Sequence, residues 1–248
     1  MFNPVLIMSK HSLLSVLMFL ICLSPFAQKK KAPAPHEQKK KEAFTSLNQF
    51  ASHYKDIAMK IWDYAELGYK EQKSSALLAE ELTQNGFNVE MGVAGIPTAF
   101  VASFGSGGPV IGILAEYDAL PGLSQQAIPE KQAFEGRNAG HGCGHHLFGT
   151  ASVAAGIELK NQLVKNGWKG TIKVYGCPAE EGGSGKVYMV REGLFNGVDI
   201  VMHWHPGSMN IVDLDGALAN KSAKFRFSGK SAHASASPER GRSSLDAV

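Results

Sequence analysis

The stretch PVIGILAEYDALPGL, residues 109 to 123, contains an unbroken apolar run that ends abruptly in charged and turn-forming residues. The run from Val110 to Ala115 has the length and continuity of a strand that is covered on both faces, as in parallel sheets. Two carboxylates, Glu116 and Asp118, follow it directly. Open α/β sheets form their binding sites outside the carboxyl ends of such strands, so these carboxylates are candidate site residues.

Helix and strand patterns alternate on both sides of this run. Apolar residues at three- and four-residue spacing predict a helix from Phe44 to Ala65, and further helices are predicted at residues 74–85 and 147–163. The other predicted strands are TAFVASFG (98–105) and the first parts of TIKVYGCPAEEGG (171–183) and GVDIVMHWHPG (197–207), which then break off into Pro/Gly turns. This order predicts an α/β fold with a mixed, mainly parallel sheet flanked by helices.

A glycine-rich loop, NAGHGCGHHLFGTA at residues 138 to 151, concentrates metal-ligand chemistry before the long helix. Cys143 and His145 can point into one cavity because the glycines around them let the backbone bend tightly. Thiolate, imidazole and carboxylate donors suit Zn²⁺, while Mn²⁺ and Co²⁺ remain possible. His141 and His146 receive no defined role.

Two more polar pairs follow predicted strands, Glu180–Glu181 and His203–His205. Neighbouring side chains on an extended backbone point opposite ways, so one glutamate can bind metal while the other acts as a general base. His203 and His205 lie two residues apart and share a strand face, so either can supply an imidazole ligand. The pattern predicts hydrolysis by a metal-activated water.

The N-terminal residues 1–27 have the layout of a secretory signal peptide, with a basic start and a short apolar run. An uncleaved anchor, a start at Met8 and a lipoprotein linked through Cys22 are the alternatives. Residues 28–42 carry six lysines against two glutamates and predict a solvated Lys/Pro-rich linker. The net charge of +3 therefore comes from the N-terminus, and the folded body lacks the basic character of a nucleic-acid-binding protein. We expect an exported, periplasmic or secreted protein without a stable membrane span after signal removal.

The last residues predict the start of another domain. Lys224 to Phe227 alternates like a strand with one wet face, and residues 241–248 predict a helix capped by Ser243 or Ser244. Because the sequence stops within this predicted helix, we expect the chain to be truncated at its C-terminus.

Five motifs in order resemble one family. AEYDALPGL, GHGCGHHLFGTA, CPAEEGGSGK, WHPG and FSGKSAHASASPERGRSSLDA are similar to motifs of the aminoacylase and carboxypeptidase-like metallohydrolases. Within that superfamily, the p-aminobenzoyl-glutamate hydrolase subunits and aminoacylase-like amidohydrolases are the most similar. The resemblance implies a two-metal catalytic domain with an inserted α+β lid and dimerisation domain. The domains expected are residues 43–215 for the N-terminal part of the catalytic domain and 216–248 for the start of the lid.

The resemblance also implies a role for each site residue. The ligands of two divalent ions, Zn²⁺ or Mn²⁺, would be Cys143, His145, Glu181 and His205, with His203 as the alternative to His205. The catalytic residues would be Glu180 as the base, Asp118 as the carboxylate that holds a ligating imidazole, and His233 as the lid histidine that binds substrate or polarises its carbonyl. The implied activity is cleavage of the amide bond of N-acyl or N-aroyl amino acids, p-aminobenzoyl-glutamate-like compounds or dipeptide-like substrates.

Three alternatives stay open at this point. The protein could be an exported, non-catalytic binding protein for N-acyl amino acids or peptides, although Glu180 argues against this. A cysteine hydrolase using Cys143 with His145 has poor geometry within one loop. Cys143 could also form a disulfide with Cys177 in an oxidising compartment. The expected partners are a small-molecule substrate and a second subunit, in a homodimer or related heterodimer through the lid domain, with no nucleic acid.

Overall fold

The computed structural model describes residues 35–212, 216 and 218–248, which fall into two compact units divided between Pro206 and Gly207. The division lies before the domain boundary expected after residue 215. The expected signal peptide, residues 1–27, lies outside the described residues. Among the helices that are described, none is both long and apolar enough to cross a membrane.

The first unit alternates helices and strands in the predicted manner. Its helices are α1 (Pro35–Gln49), α2 (Ala51–Tyr64), α3 (Gln72–Gln84), α4 (His145–Asn166), α5 (Glu180–Gly183) and α6 (Gly185–Arg191). Its strands are β1 (Asn88–Met91), β2 (Phe100–Ser106), β3 (Val110–Ala115), β4 (Leu120–Pro121), β5 (Ala139–Gly140), β6 (Gly170–Gly176) and β7 (Ile200–Met202). The strand predicted from Val110 to Ala115 is therefore confirmed at both ends.

The main sheet is mixed, as predicted, with the strand order β1-β2-β6-β3-β7. Its parallel part is the half formed by β6, β3 and β7, whereas β1 and β2 run antiparallel to their neighbours. Strand β3 pairs with β6 so that Ala115 lies opposite Gly176. The carboxyl ends of the two strands therefore meet at one edge of the sheet.

Both faces of β3 are covered, which explains its continuous apolar sequence. Ile113 and Ala115 pack in a core cluster with helices α2, α3 and α4, while Leu114 packs in a second cluster with Met189 of α6. Alternate residues of a strand point to opposite faces, so an apolar residue is needed at every position. Helices on both sides of a mixed sheet confirm the α/β class.

The N-terminal helices differ from the prediction. The single helix expected from Phe44 to Ala65 is two helices, α1 and α2, separated at Phe50, where ψ is 11°. Helix α1 begins at Pro35 and so includes residues that the sequence assigned to the solvated linker. Side chains of the lysine-rich segment find partners on α4, since Lys165 pairs with Glu42 at 2.9 Å.

The second unit, described from Gly207 onward with the gaps given above, departs further from the prediction. Lys224 to Phe227 was predicted as a strand, but it is irregular, and the Phe225 side chain is exposed. The described part of this unit offers it no neighbouring strand, and an isolated strand is not stable. The predicted C-terminal helix is a short 3₁₀ turn, Leu245–Ala247, in which Ser243 Oγ accepts a hydrogen bond from the Asp246 N–H at 3.1 Å.

Candidate metal centre

The centre lies where β3, β6 and β7 of the first unit end. Glu116 and Asp118 follow β3, Glu180 and Glu181 follow β6, and the small β4–β5 pair brings the glycine-rich loop to the same edge. Gly144 ends that loop with φ at 84°, a conformation that favours glycine. A side chain there would also clash, because a Cβ would lie 2.9 Å from the Pro206 ring.

Three donors of the predicted ligand set form what we call the thiolate cluster, Cys143, His145 and His205. Their ligand atoms all lie within 4.8 Å of one another. The Cys143 Sγ is 3.2 Å from the His205 Nε2, so a residue 62 positions away along the chain reaches the loop. Sulfur and two imidazole nitrogens at this spacing match the ligand set of a zinc-like cation.

Asp118 connects the loop to the turn that follows β6. Its Oδ1 lies 2.8 Å from the Nδ1 of His145, and its Oδ2 accepts a hydrogen bond from the Glu181 N–H at 2.9 Å. Both the Asp118 carboxyl group and the His145 ring are buried. A carboxylate bonded to the far nitrogen of a ligating imidazole is the arrangement by which proteins orient such ligands.

A second group, the carboxylate cluster, consists of Glu116, His145 and Glu180. The Glu116 Oε2 is 3.1 Å from the His145 Nε2, and the Glu180 Oε2 is 4.0 Å from the same nitrogen. On its other oxygen, Glu116 accepts a short charged hydrogen bond from the Lys186 ammonium group. The two clusters therefore share a single imidazole nitrogen.

Two buried atoms of the centre lack a hydrogen-bond partner within the described residues. They are the Nε2 of His145 and the Oε1 of Glu181. Unpaired buried polar atoms are costly, and such atoms call for a ligand or an ion. Together with the sulfur of Cys143, they supply nitrogen, oxygen and sulfur donors, so the residues fit a divalent cation.

Electrostatics agrees with this fit. Burial and the nearby Glu181 carboxylate raise the pKa of Cys143 to about 11. A thiol with a raised pKa is a poor nucleophile at neutral pH, which argues against the cysteine hydrolase. Burial lowers the pKa of His145, but Asp118 and the other carboxylates outweigh it, so the net pKa is raised. A concentration of negative charge around one imidazole favours a cation.

A buried carboxylate that the sequence analysis missed supports the turn carrying Glu180. Glu71 is 0% exposed, and it accepts hydrogen bonds from the Ala179 N–H at 2.8 Å and the Thr98 hydroxyl at 3.0 Å. Ala179 has φ at 58°, a left-handed conformation that is unfavourable for alanine. Glu71 thus holds a strained residue immediately before the predicted base. No local pattern around Glu71 signals this contact.

Glu116 and Lys186 were also left without a role. Both lie inside motifs that the resemblance rests on, and Glu116 was already a candidate site residue because it follows β3 at the sheet edge. The remaining histidines of the loop, His141 and His146, have ring centroids 5.0 Å apart. Burial lowers the pKa of each to about 4, so both rings are neutral at physiological pH.

The other predicted residues are placed as follows. Glu180 lies beside the centre with its side chain 43% exposed, open to a molecule from solvent. His233 lies in the second unit, where its Nδ1 accepts hydrogen bonds from the N–H groups of Ser235 and Ala236. Its role at the centre stays a prediction. Cys143 and Cys177 are both free, so the structure does not contain the disulfide considered above.

His205 and His203 make different contacts, which leads to a prediction. Both rings pack near Phe148 at a centroid distance of 6.0 Å, but His205 also places its Nε2 3.2 Å from the Cys143 sulfur. We therefore expect His205→Ala to lower bound metal and His203→Ala to leave it near wild type, as measured by elemental analysis of purified protein. The reverse outcome would mean that His203 is the ligand.

Comparison with known proteins identifies the family of the chain. Residues 112–239 match the model of peptidase family M20/M25/M40. The chain is 52% identical over 197 residues to one of the p-aminobenzoyl-glutamate hydrolase subunits of Escherichia coli, covering 79% of this chain and 41% of that protein. It is 32% identical over 226 residues to the Xaa-Arg dipeptidase of Mus musculus, covering 84% of this chain and 47% of that protein.

A solved structure shares the fold. The YxeP protein of Bacillus subtilis, described as a dinuclear metal-binding peptidase of the M20 family, aligns with a TM-score of 0.54 and 28% identity. The alignment covers 63% of this chain and 43% of YxeP. The chain thus spans less than half the length of each of these three relatives. The family match covers more than half of the chain, and the chain belongs to peptidase family M20/M25/M40.

Proposed function

We propose that the protein is a metal-dependent amidohydrolase that cleaves the amide bond between an acyl or aroyl group and an amino acid. The observation that carries this proposal is the buried Nε2 of His145, which has no hydrogen bond among the described residues and is surrounded by one thiol and several carboxylates. The family membership supports hydrolysis, and the relatives' names point to p-aminobenzoyl-glutamate-like and dipeptide-like substrates.

Two divalent ions, Zn²⁺ or Mn²⁺, are the proposed cofactors. The residues proposed to hold them are Cys143, His145, Glu181 and His205. When bound, such ions supply Lewis-acid chemistry that polarises a carbonyl and makes water easier to deprotonate. Asp118 keeps the His145 imidazole oriented toward the centre. A dinuclear centre in YxeP supports the number of ions.

Glu180 is proposed as the proton carrier. Its carboxylate is exposed beside the centre, whereas the backbone N–H of the neighbouring Glu181 is held by Asp118. It is therefore free to take a proton from the attacking water and give it to the leaving amine. His233 is proposed to bind the substrate or polarise its carbonyl, as the family resemblance implies.

The proposed setting is an exported, periplasmic or secreted enzyme. The signal layout of residues 1–27 supports export. Two different p-aminobenzoyl-glutamate hydrolase subunits of E. coli are similar to this chain, at 52% and 29% identity. This supports a related second chain as partner in a heterodimer, in addition to a homodimer through the lid domain.

The function is tested with a substrate panel and purified full-length protein. The panel contains p-aminobenzoyl-glutamate, other N-acyl and N-aroyl amino acids, and dipeptides ending in arginine. We expect release of the free amino acid from at least one member, loss of that activity with a chelator, and its return on addition of Zn²⁺ or Mn²⁺. Tight binding of panel members by metal-replete protein without any hydrolysis would favour the non-catalytic binding protein instead.

A further inference from the structure

The shared imidazole of His145 raises the question of which cluster holds a metal ion. Its Nδ1 is committed to Asp118 at 2.8 Å, which leaves Nε2 as the only nitrogen that can ligate. A single lone pair binds a single ion. An ion on Nε2 can take its other ligands either from the thiolate cluster or from the carboxylate cluster. It cannot take all of them, because the ligand atoms of the two clusters do not all lie within 4.8 Å of one another.

The two clusters favour different cations. Thiolate and imidazole donors favour Zn²⁺, whereas carboxylate oxygens suit harder ions such as Mn²⁺. Glu116 lies closer to the shared nitrogen than Glu180 does, at 3.1 Å against 4.0 Å. By distance alone, Glu116 would therefore be the preferred carboxylate ligand of an ion on this nitrogen.

Lys186 makes Glu116 a weaker metal ligand. Its ammonium group forms a charged hydrogen bond with Glu116, whose side chain is only 5% exposed. The ion pair uses the Glu116 Oε1, and the lysine charge beside the carboxylate opposes the binding of a cation at the Oε2 that faces His145. The Lys186 side chain is 29% exposed and the Glu116 side chain only 5%, so solvent screens this repulsion only in part.

We propose that Lys186 is a positioning residue that sets metal selectivity: by binding Glu116, it directs an ion on the shared imidazole to the thiolate cluster. This inference rests on the proposed function to the extent that the centre must bind metal. It adds a determinant of which metal is bound, and it assigns Glu116 as a residue kept from ligation in the wild type.

The test measures metal selectivity directly. Purified full-length protein is equilibrated in metal-buffered Zn²⁺ and Mn²⁺, and the bound metals are quantified by elemental analysis. We expect Lys186→Met to lower the Zn²⁺-over-Mn²⁺ affinity ratio by about tenfold, the low end of the effects known for residues that support metal ligands. The double variant Lys186→Met with Glu116→Gln should regain the wild-type ratio, because residue 116 no longer offers a carboxylate to the ion.

The matched control is Lys165→Met, which removes a lysine from an exposed ion pair between Lys165 on α4 and Glu42 on α1. Its ratio should equal that of the wild type. A second readout is the sulfur-to-metal absorption band of the Co²⁺-loaded protein, which reports on Cys143 and should weaken in Lys186→Met. An unchanged ratio and band in a folded Lys186→Met would overturn the inference while leaving the proposed function intact.

If Lys186→Met does not fold, the single variant Glu116→Gln tests the inference. The inference requires this variant to keep its bound Zn²⁺ and its Co²⁺ absorption band. Loss of metal would show that Glu116 is itself a ligand and would overturn the inference. Wild-type protein that binds neither Zn²⁺ nor Mn²⁺ would overturn both this inference and the proposed function, so the two failures are distinguishable.

Discussion

Replacing Glu180 with glutamine should lower kcat by about 10²–10⁴-fold, the usual contribution of a general base. Glutamine keeps the shape of the side chain but cannot accept the proton. The turn around it should persist, because Glu71 binds the N–H of Ala179 and Asp118 binds the N–H of Glu181. Bound metal and substrate affinity should therefore stay near wild type, and the loss should fall on kcat.

The measurement is steady-state kinetics of metal-replete, full-length protein on the best substrate of the panel. Glu192→Gln is a suitable control, since Glu192 is an exposed glutamate at the end of α6. It should turn over substrate at the wild-type rate. Near-normal kcat in Glu180→Gln with full metal content would refute the assignment of the base.

Removing the Cys143 sulfur or the Glu181 carboxylate should have the second large effect. We expect wild-type protein to bind about two divalent ions per chain, by the two-metal logic of such hydrolases, and Cys143→Ala or Glu181→Ala to lose at least one. Cys143 belongs to the thiolate cluster, and Glu181 contributes a buried oxygen without a hydrogen-bond partner. Both changes remove a donor rather than a supporting contact.

Elemental analysis after dialysis checks this prediction. Cys177→Ala provides the matched control, because Cys177 is a buried free thiol whose Sγ donates to the Tyr175 carbonyl and takes no part in the thiolate cluster. Its metal content should equal that of the wild type. Unchanged metal in both Cys143→Ala and Glu181→Ala would contradict the ligand assignment.

The sequence was sufficient for β2, β3, β6 and β7 of the main sheet and for the edge at which the centre lies, whereas β1 was not predicted. The run from Val110 to Ala115 predicts a strand because burial on both faces demands an apolar residue at each position. Parallel pairing of β3 with β6 then places the residues that follow both strands at the same edge of the sheet. The glycine-rich loop was recognisable because its ligand types are rare and closely spaced.

Contacts that depend on tertiary packing were not predictable. Lys186 pairs with Glu116 across 70 positions of the chain, and neither residue carries a local signal of its partner. Likewise, a lysine-rich segment looks solvated until α4 supplies partners such as Lys165 for Glu42. The strand expected at Lys224 to Phe227 failed for the opposite reason, because alternation predicts a strand only where a neighbouring strand exists.

Because Asp118 accepts two hydrogen bonds, its position should not tolerate asparagine, the amide of the same shape. Both carboxylate oxygens accept, one from the His145 ring and one from the Glu181 backbone. Asparagine has a single acceptor oxygen, so either orientation of its amide would turn an NH₂ group toward one of these two donors. The imidazole could adapt only by moving its proton to Nε2, which would remove the lone pair that faces the centre. A change of one atom at residue 118 would thus convert the proposed metal ligand His145 into a hydrogen-bond donor.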